Sequence, residues 1–193
     1  MMVPDPRVIA RAGALEALVD IAELHDARVL VVSDAGLVDA GHAGKAVAYC
    51  DVRAASVRRH VDVRSSPSAQ DVEACLKAAQ GVDAIVAIGG GSVMDVAKLC
   101  ALVRDTGEPI DTHRGVHETR RSSTTLVLIP TTAGTGSEAQ AAAILRDEES
   151  GQKGAYLAPG LSADVVILDP KLSLTCPRAV SASSGLDALT HAL

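Results

Sequence analysis

Three short segments of this sequence combine residue types that can hold or transform a ligand. The first is Ile88-Gly89-Gly90-Gly91-Ser92-Val93-Met94-Asp95, set between an apolar run and an amphipathic stretch. That setting predicts a strand-to-helix turn, where glycines let the backbone turn tightly and a ligand approach without a Cβ in the way. A helix starting there offers free amides and a partial positive charge, which suits a pyrophosphate. The spacing is not G-x-G-x-x-G, because Met94 stands three residues after Gly91. Ser92 and Asp95 also have the form of a capping pair, which would make the segment a closed turn with no ligand.

The second segment, Ile129-Pro130-Thr131-Thr132-Ala133-Gly134-Thr135-Gly136-Ser137-Glu138, again follows an apolar run. Thr131, Thr132, Thr135 and Ser137 put four hydroxyls on a loop thinned by two glycines. At the carboxyl end of a strand such a loop can line a ligand, although hydroxyl-rich loops also serve as solvated turns. Asp34 directly follows the run Val29 to Ser33 and belongs at the same edge. Its carboxylate could accept the hydroxyls of an adenosine ribose and repel a 2′-phosphate, or it could cap a helix beginning near Leu37. The third segment is Gly185-Leu186-Asp187-Ala188-Leu189-Thr190-His191. On a helix Asp187 and His191 point the same way, within reach of one divalent ion, although such a pair is commonly a surface contact. His113 and His117 share that spacing but lie in a polar stretch, which makes them a weaker metal candidate.

These groups need elements to position them, and the periodicity supplies an α/β pattern. Runs at 27–33, 59–63, 82–88 and 124–129 are short and rich in Val and Ile, as strands buried on both faces should be. Between them, 69–80 places Val72, Cys75, Leu76 and Ala79 on one helical face, and the stretch after Gly91 does the same with Val93, Val96, Ala97, Cys100 and Ala101. The segment 107–123 is polar and aperiodic and reads as a surface loop. Two runs, 139–146 and 152–157, flank a turn-rich Asp-Glu-Glu-Ser-Gly and predict a hairpin appended to the sheet. A last strand at 164–168 precedes a helical pattern that runs from about Pro177 to Leu193. The expected fold is a Rossmann-like parallel sheet flanked by helices, with the hairpin attached.

Composition narrows the function classes. The chain has 193 residues, of which 48% are hydrophobic, yet it contains no Phe or Trp and only Tyr49 and Tyr156 as aromatics. Its core must be built from Ala, Val, Leu and Ile. With 18 Lys plus Arg against 24 Asp plus Glu, the net charge of −6 predicts no general attraction to nucleic acid or anionic lipid. No apolar stretch approaches bilayer-spanning length, and the N-terminus lacks the order of a signal peptide, so a cytoplasmic location is expected. Cys50, Cys75, Cys100 and Cys176 form no C-x-x-C pair and read as buried thiols.

Taken in order, these segments resemble the iron-containing (group III) alcohol dehydrogenase family. The match runs through Val31-Val32-Ser33-Asp34, the stretch from Ala84 to Lys98, the loop from Ile129 to Glu138, and Ser184 to Ala192. The resemblance implies an N-terminal dinucleotide-binding domain over 1–175, and over 176–193 the start of an all-helical metal-binding domain. It implies NAD as cofactor, with Gly90, Gly91 and Ser92 at the pyrophosphate and Asp34 at the ribose. Thr131, Thr132, Thr135 and Ser137 would line the cofactor, Lys153 would stand near its ribose, and Asp95 matches an aspartate behind the glycine turn. Asp187 and His191 would be the first two of four ligands to Fe²⁺, with Zn²⁺ as the alternative metal.

The implied activity is NAD-dependent and metal-dependent hydride transfer between an alcohol and its aldehyde. In the family the other two ligands are histidines further along, and no residue follows Leu193 here. The expectation is therefore a cofactor-domain fragment with weak or no dehydrogenase activity by itself. Leu186, Leu189 and Leu193 would leave an apolar helix face open, which predicts a homo-oligomer or association through the C-terminal helix. The alternatives are a maleylacetate reductase or polyol-phosphate dehydrogenase on the same scaffold, or a non-catalytic nucleotide-binding fragment.

Overall fold

The computed structural model describes residues 5–121 and 123–193. In chain order the strands are β1 (Arg7–Ala10), β2 (Arg28–Val32), β3 (Ser56–His60), β4 (Ala84–Gly89), β5 (Gly115–Val116), β6 (Thr125–Pro130), β7 (Ala142–Arg146), β8 (Lys153–Leu157) and β9 (Val165–Leu168). The helices are α1 (Ala35–Asp39), α2 (His42–Asp51), α3 (Ala69–Ala78), α4 (Gly91–Thr106) and α5 (Arg178–Ala192). Six strands form one parallel sheet in the order β1-β9-β6-β4-β2-β3. The Rossmann-like α/β architecture follows from strands whose successive side chains go to opposite, equally buried faces. Leu30, Val32, Ile85, Ala87, Leu126 and Leu128 join α3 and α4 in one core. Val29, Val31, Val86, Ile88, Val127 and Ile129 join α2 and a 3₁₀ segment, Ala14–Asp20, in the other. Each fully buried branched side chain contributes about 1.5–3 kcal/mol, so two such layers hold the sheet without large aromatics.

The order places a topological switch beside the middle of the sheet. The chain leaves β2 for the edge strand β3, then returns to β4 on the other side of β2. The connections after β2 and β4 consequently pass to opposite faces, and a crevice opens at the carboxyl ends of these two strands. Asp34 stands two residues past the first of them and Gly90 directly after the second.

Several expectations are corrected. The third strand lies at Ser56–His60, three residues earlier than 59–63. It is an edge strand with Arg58 and Arg59 exposed, so burial on both faces does not apply to it. The hairpin is present as antiparallel β7 and β8, but it joins β5 in a separate three-stranded sheet and pairs with none of the six parallel strands. The polar stretch 107–123 is more ordered than a loop, since it carries a 3₁₀ turn, Ile110–His113, and supplies β5 to that second sheet. Strand β1 and the Ala14–Asp20 segment are not among the expected elements, and both depend on partners far along the chain: β1 pairs with β9, and Asp169 accepts from Gly13 N and Leu15 N.

Cys50, Cys75 and Cys100 are buried free thiols, and burial pushes the Cys50 thiol up to about 12, which leaves it unreactive. No helix among the described residues is long and apolar enough to cross a membrane. The leader reading of the N-terminus includes residues 1–4, which lie outside the described residues. Leu186 and Leu189 on α5 and Leu193 directly after it are exposed, as the sequence suggests.

Candidate active site

Two cavities meet over the N-terminus of α4. The larger, about 680 Å³, is lined by Asp34, Gly90, Gly91, Ser92, Thr131, Thr132 and Thr135 among others. The smaller, about 490 Å³, shares Gly91, Ser92 and Thr135 with it and adds Asp95, Ser137, Lys153, Asp187 and His191. The residues singled out for the cofactor, together with Asp187 and His191, therefore line two adjoining cavities at the switch point of the sheet, and His113 and His117 line neither.

The glycine turn works differently from the expected tight bend. None of Gly89, Gly90 and Gly91 has a left-handed φ, so unusual backbone geometry does not require them. Close approach accounts for two of them, because a Cβ on Gly89 would stand 2.6 Å from the Val93 side chain and one on Gly91 3.0 Å from Thr135 Cγ2, where the hydroxyl loop lies across the helix start. Nor does the proposed capping pair form. Gly90 is the N-cap of α4 and no side chain caps the helix. Ser92 Oγ instead donates to the Ser65 carbonyl at 2.8 Å, and Asp95 turns away to the loop. The first-turn amides of α4 are left facing the cleft without a side-chain acceptor.

Asp34 does cap a helix. Its Oδ1 accepts from Leu37 N at 3.0 Å at the head of α1, which starts at Ala35, two residues before the expected position. It also lines the larger cavity, so the capping role and a ligand role are geometrically compatible.

Asp95, Ser137 and Lys98 form a buried cluster. Ser137 Oγ donates to Asp95 Oδ1 at 2.7 Å, and Asp95 Oδ2 accepts from Ile144 N at 3.0 Å. Lys98, one turn along α4 from Asp95, is fully buried; its Nζ donates to Ser137 Oγ at 2.8 Å, to the carbonyls of Ala142 at 2.9 Å and Gln140 at 3.1 Å, and to that of Ser137. Burial pulls the Lys98 ammonium down to about 8 despite Asp95 at 3.8 Å, and burial raises the Asp95 carboxyl above its ordinary value. The cluster straps the end of the hydroxyl loop and the start of β7 to α4. Lys98 carries a signal in the sequence itself: a lysine inside the run Val96–Val103, every other residue of which is apolar, must find buried acceptors.

Asp187 and His191 lie one turn apart on α5, half-exposed, with Oδ1 and Nε2 3.9 Å apart. Two ligands each about 2.1 Å from one ion stand roughly 3.0–3.5 Å apart, so a small side-chain rotation brings both onto a metal. They fit part of a coordination sphere. Among the described residues no group of three or more His, Cys, Asp or Glu could hold an ion. The other histidine pair does not converge, because the His113 and His117 rings meet edge to face at 6.4 Å, with His113 Nε2 against Thr106 and His117 Nε2 against the Arg114 carbonyl.

A family model described as iron-containing alcohol dehydrogenase matches residues 5–170. The chain is 34% identical over 184 residues to alcohol dehydrogenase 4 of Saccharomyces cerevisiae, covering 94% of this chain and 48% of that protein. Among solved structures, sulfoacetaldehyde reductase from Bifidobacterium kashiwanohense in complex with NAD+ superposes with a TM-score of 0.86 at 30% identity, covering 99% of this chain and 52% of that one. An iron-containing alcohol dehydrogenase from Thermococcus thioreducens gives 0.88 at 31% identity, over 99% and 52%. The chain thus spans about half the length of the curated relatives it matches.

Proposed function

Because this chain belongs to the iron-containing alcohol dehydrogenase family, we propose that it binds NAD in the cleft over α4 and contributes the cofactor half of a metal-dependent alcohol dehydrogenase. In this reading 1–175 is the dinucleotide-binding domain and 176–193 opens a helical metal-binding domain. One observation carries the proposal: two adjoining cavities bring Asp34, the uncapped α4 N-terminus, the hydroxyl loop and the Asp187/His191 pair together in the order that a dinucleotide and then a substrate require.

The amides at Gly90, Gly91 and Ser92 receive the pyrophosphate, whose charge the helix end favours by about 0.3–1 kcal/mol or more when partly buried. Asp34 uses Oδ1 for Leu37 and keeps its second oxygen for a ribose hydroxyl, while its charge disfavours a 2′-phosphate. Thr131, Thr132 and Thr135 line the path toward the nicotinamide, and Lys153, the first residue of β8, stands across the smaller cavity. Asp95 and Ser137 serve the cofactor through the loop they hold, since their polar atoms are engaged with each other, Lys98 and Ile144.

NAD supplies the hydride acceptor, and the chain's task is to fix the ring against the substrate carbon. Asp187 and His191 would hold Fe²⁺ or Zn²⁺ as two of its ligands; a metal there supplies Lewis-acid polarisation of an alcohol or aldehyde oxygen. Isothermal titration of the folded chain with NAD tests the reading. Saturable binding that is lost on filling the turn by Gly91→Val supports it, and absence of saturable heat from a chain that is folded by circular dichroism rejects it.

A further inference from the structure

Asp95 and Lys98, one turn apart on α4, together hold the segment that runs from Ser137 at the end of the hydroxyl loop to Ile144 in β7. Asp95 accepts from Ser137 Oγ and Ile144 N. Lys98 Nζ faces four acceptors: Ser137 Oγ and the carbonyls of Ser137, Gln140 and Ala142. An ammonium has three hydrogens and no lone pair, so it can serve that set with one hydrogen shared. A neutral amine has two hydrogens and a lone pair, and the lone pair would face a carbonyl or hydroxyl oxygen. The acceptors are therefore arranged for the charged form, although burial opposes it and lowers the Lys98 pKa to about 8. The charges facing Lys98 are Asp95 on its own helix and Glu138 in the 3₁₀ turn Ser137–Ala139, while β7 meets it with the Ala142 carbonyl.

The segment that Lys98 holds leads to the proposed pyrophosphate site. Ser137 N donates to Thr135 Oγ1 at 3.3 Å, and Thr135 lies against Gly91 in the first turn of α4, where it lines both cavities. Ala142 and Ile144 line the smaller cavity. Lys98 is fully buried and lines neither. It stands seven residues along α4 from Gly91, about 10 Å at the rise of an α-helix, so it acts on a ligand only through the loop.

We propose that Lys98 is a positioning residue for the cofactor: its ammonium fixes the hydroxyl loop over the N-terminus of α4, and the loop holds NAD tightly only while that ammonium keeps its proton. The proton and NAD are then linked, each raising the affinity for the other by the same factor. The inference rests on the NAD reading above, and its test separates the two.

Calorimetric titration of the folded chain with NAD from pH 7 to 9.5, in buffers of different ionisation enthalpy, reads both sides of the link. NAD affinity should fall about 20-fold between pH 7.5 and 9.5, and about half a proton should be taken up per NAD at pH 8. Lys98→Arg keeps its charge throughout and should bind with a flat pH profile near the parent's affinity at pH 7. Lys98→Met, where it folds, should bind at every pH about as weakly as the parent does at pH 9.5 and take up no proton. Thr135→Val leaves the ammonium in place but cuts the link from Ser137 to Thr135, so its affinity should vary by less than about threefold over the same range.

Parent affinity constant to within about twofold, with no proton uptake, overturns the positioning role and leaves the NAD reading standing. A parent-sized pH dependence in Lys98→Arg or Lys98→Met assigns the proton to another group and also overturns it. So does a parent-sized dependence in Thr135→Val, which would trace the link to charge at a distance and not to the loop. Failure of the folded parent to bind NAD at pH 7 rejects the NAD reading itself.

Discussion

The main chains of Gly134 and Ser184 are in contact: a Cβ built on Gly134 would lie 2.2 Å from the Ser184 carbonyl oxygen and 2.9 Å from its Cα. Gly134 belongs to the hydroxyl loop, and Ser184 to α5, one turn before Asp187. The φ of Gly134 lies outside the left-handed region, so close approach alone requires glycine there.

Gly134→Ala should therefore push α5 off the loop by about 1 Å or more to restore ordinary contact distances, at a cost of roughly 1–3 kcal/mol. Amide exchange in α5 should accelerate while the parallel sheet keeps its protection. Gly136→Ala is the control. Its φ of +60° makes the substitution strained, but its nearest neighbour is the Gln140 side chain, not α5. Similar α5 exchange in the two variants would show that the contact does not seat the helix.

Lys98 offers a pH signature. Its folded-state pKa of about 8 lies below the unfolded value of 10.5, so between those pH values the unfolded chain binds more protons. Stability from this group must then rise with pH from about 8 to 10.5, by at most about 3 kcal/mol. Lys98→Met removes the titration and strands several loop acceptors, costing about 2–5 kcal/mol. Urea denaturation of both proteins from pH 7 to 10 should show the parent's advantage widening above pH 8. A constant gap would mean that the ammonium is not destabilised in its pocket.

Asp34 has two separable roles. Asp34→Asn keeps a side-chain acceptor for Leu37 N but loses the charge, so NADP binding should improve about tenfold relative to NAD with little change in stability. Asp34→Ala should shift the preference equally and also cost about 1 kcal/mol as the α1 cap is lost. An NAD/NADP ratio unchanged in both variants would remove Asp34 from the ribose site.

For the metal pair, Co²⁺ titrated into the chain should give a d–d absorption band that either Asp187→Ala or His191→Ala weakens by about tenfold or more in apparent affinity. His113→Ala should leave the band alone, because its ring is directed at Thr106. Loss of the band in His113→Ala but not in His191→Ala would reverse the assignment.

Much of this protein was legible in its residues. The Val/Ile runs of β2, β4 and β6 specify strands buried on both faces, the motif order carries the family, and a period of 3.6 puts Asp187 and His191 on the same side of α5. These are local properties, because strand alternation, helical period and turn chemistry are set within a few residues. What only the tertiary structure decided is which groups meet. It assigned the hairpin to a second sheet through β5, turned Asp95 away from the helix end and onto Ser137, placed Lys98 under the loop carbonyls, and seated Ser184 on Gly134. Those contacts join segments dozens of residues apart. They depend on sheet order and on how closely backbones can approach, and neither is encoded in the spacing of any single segment.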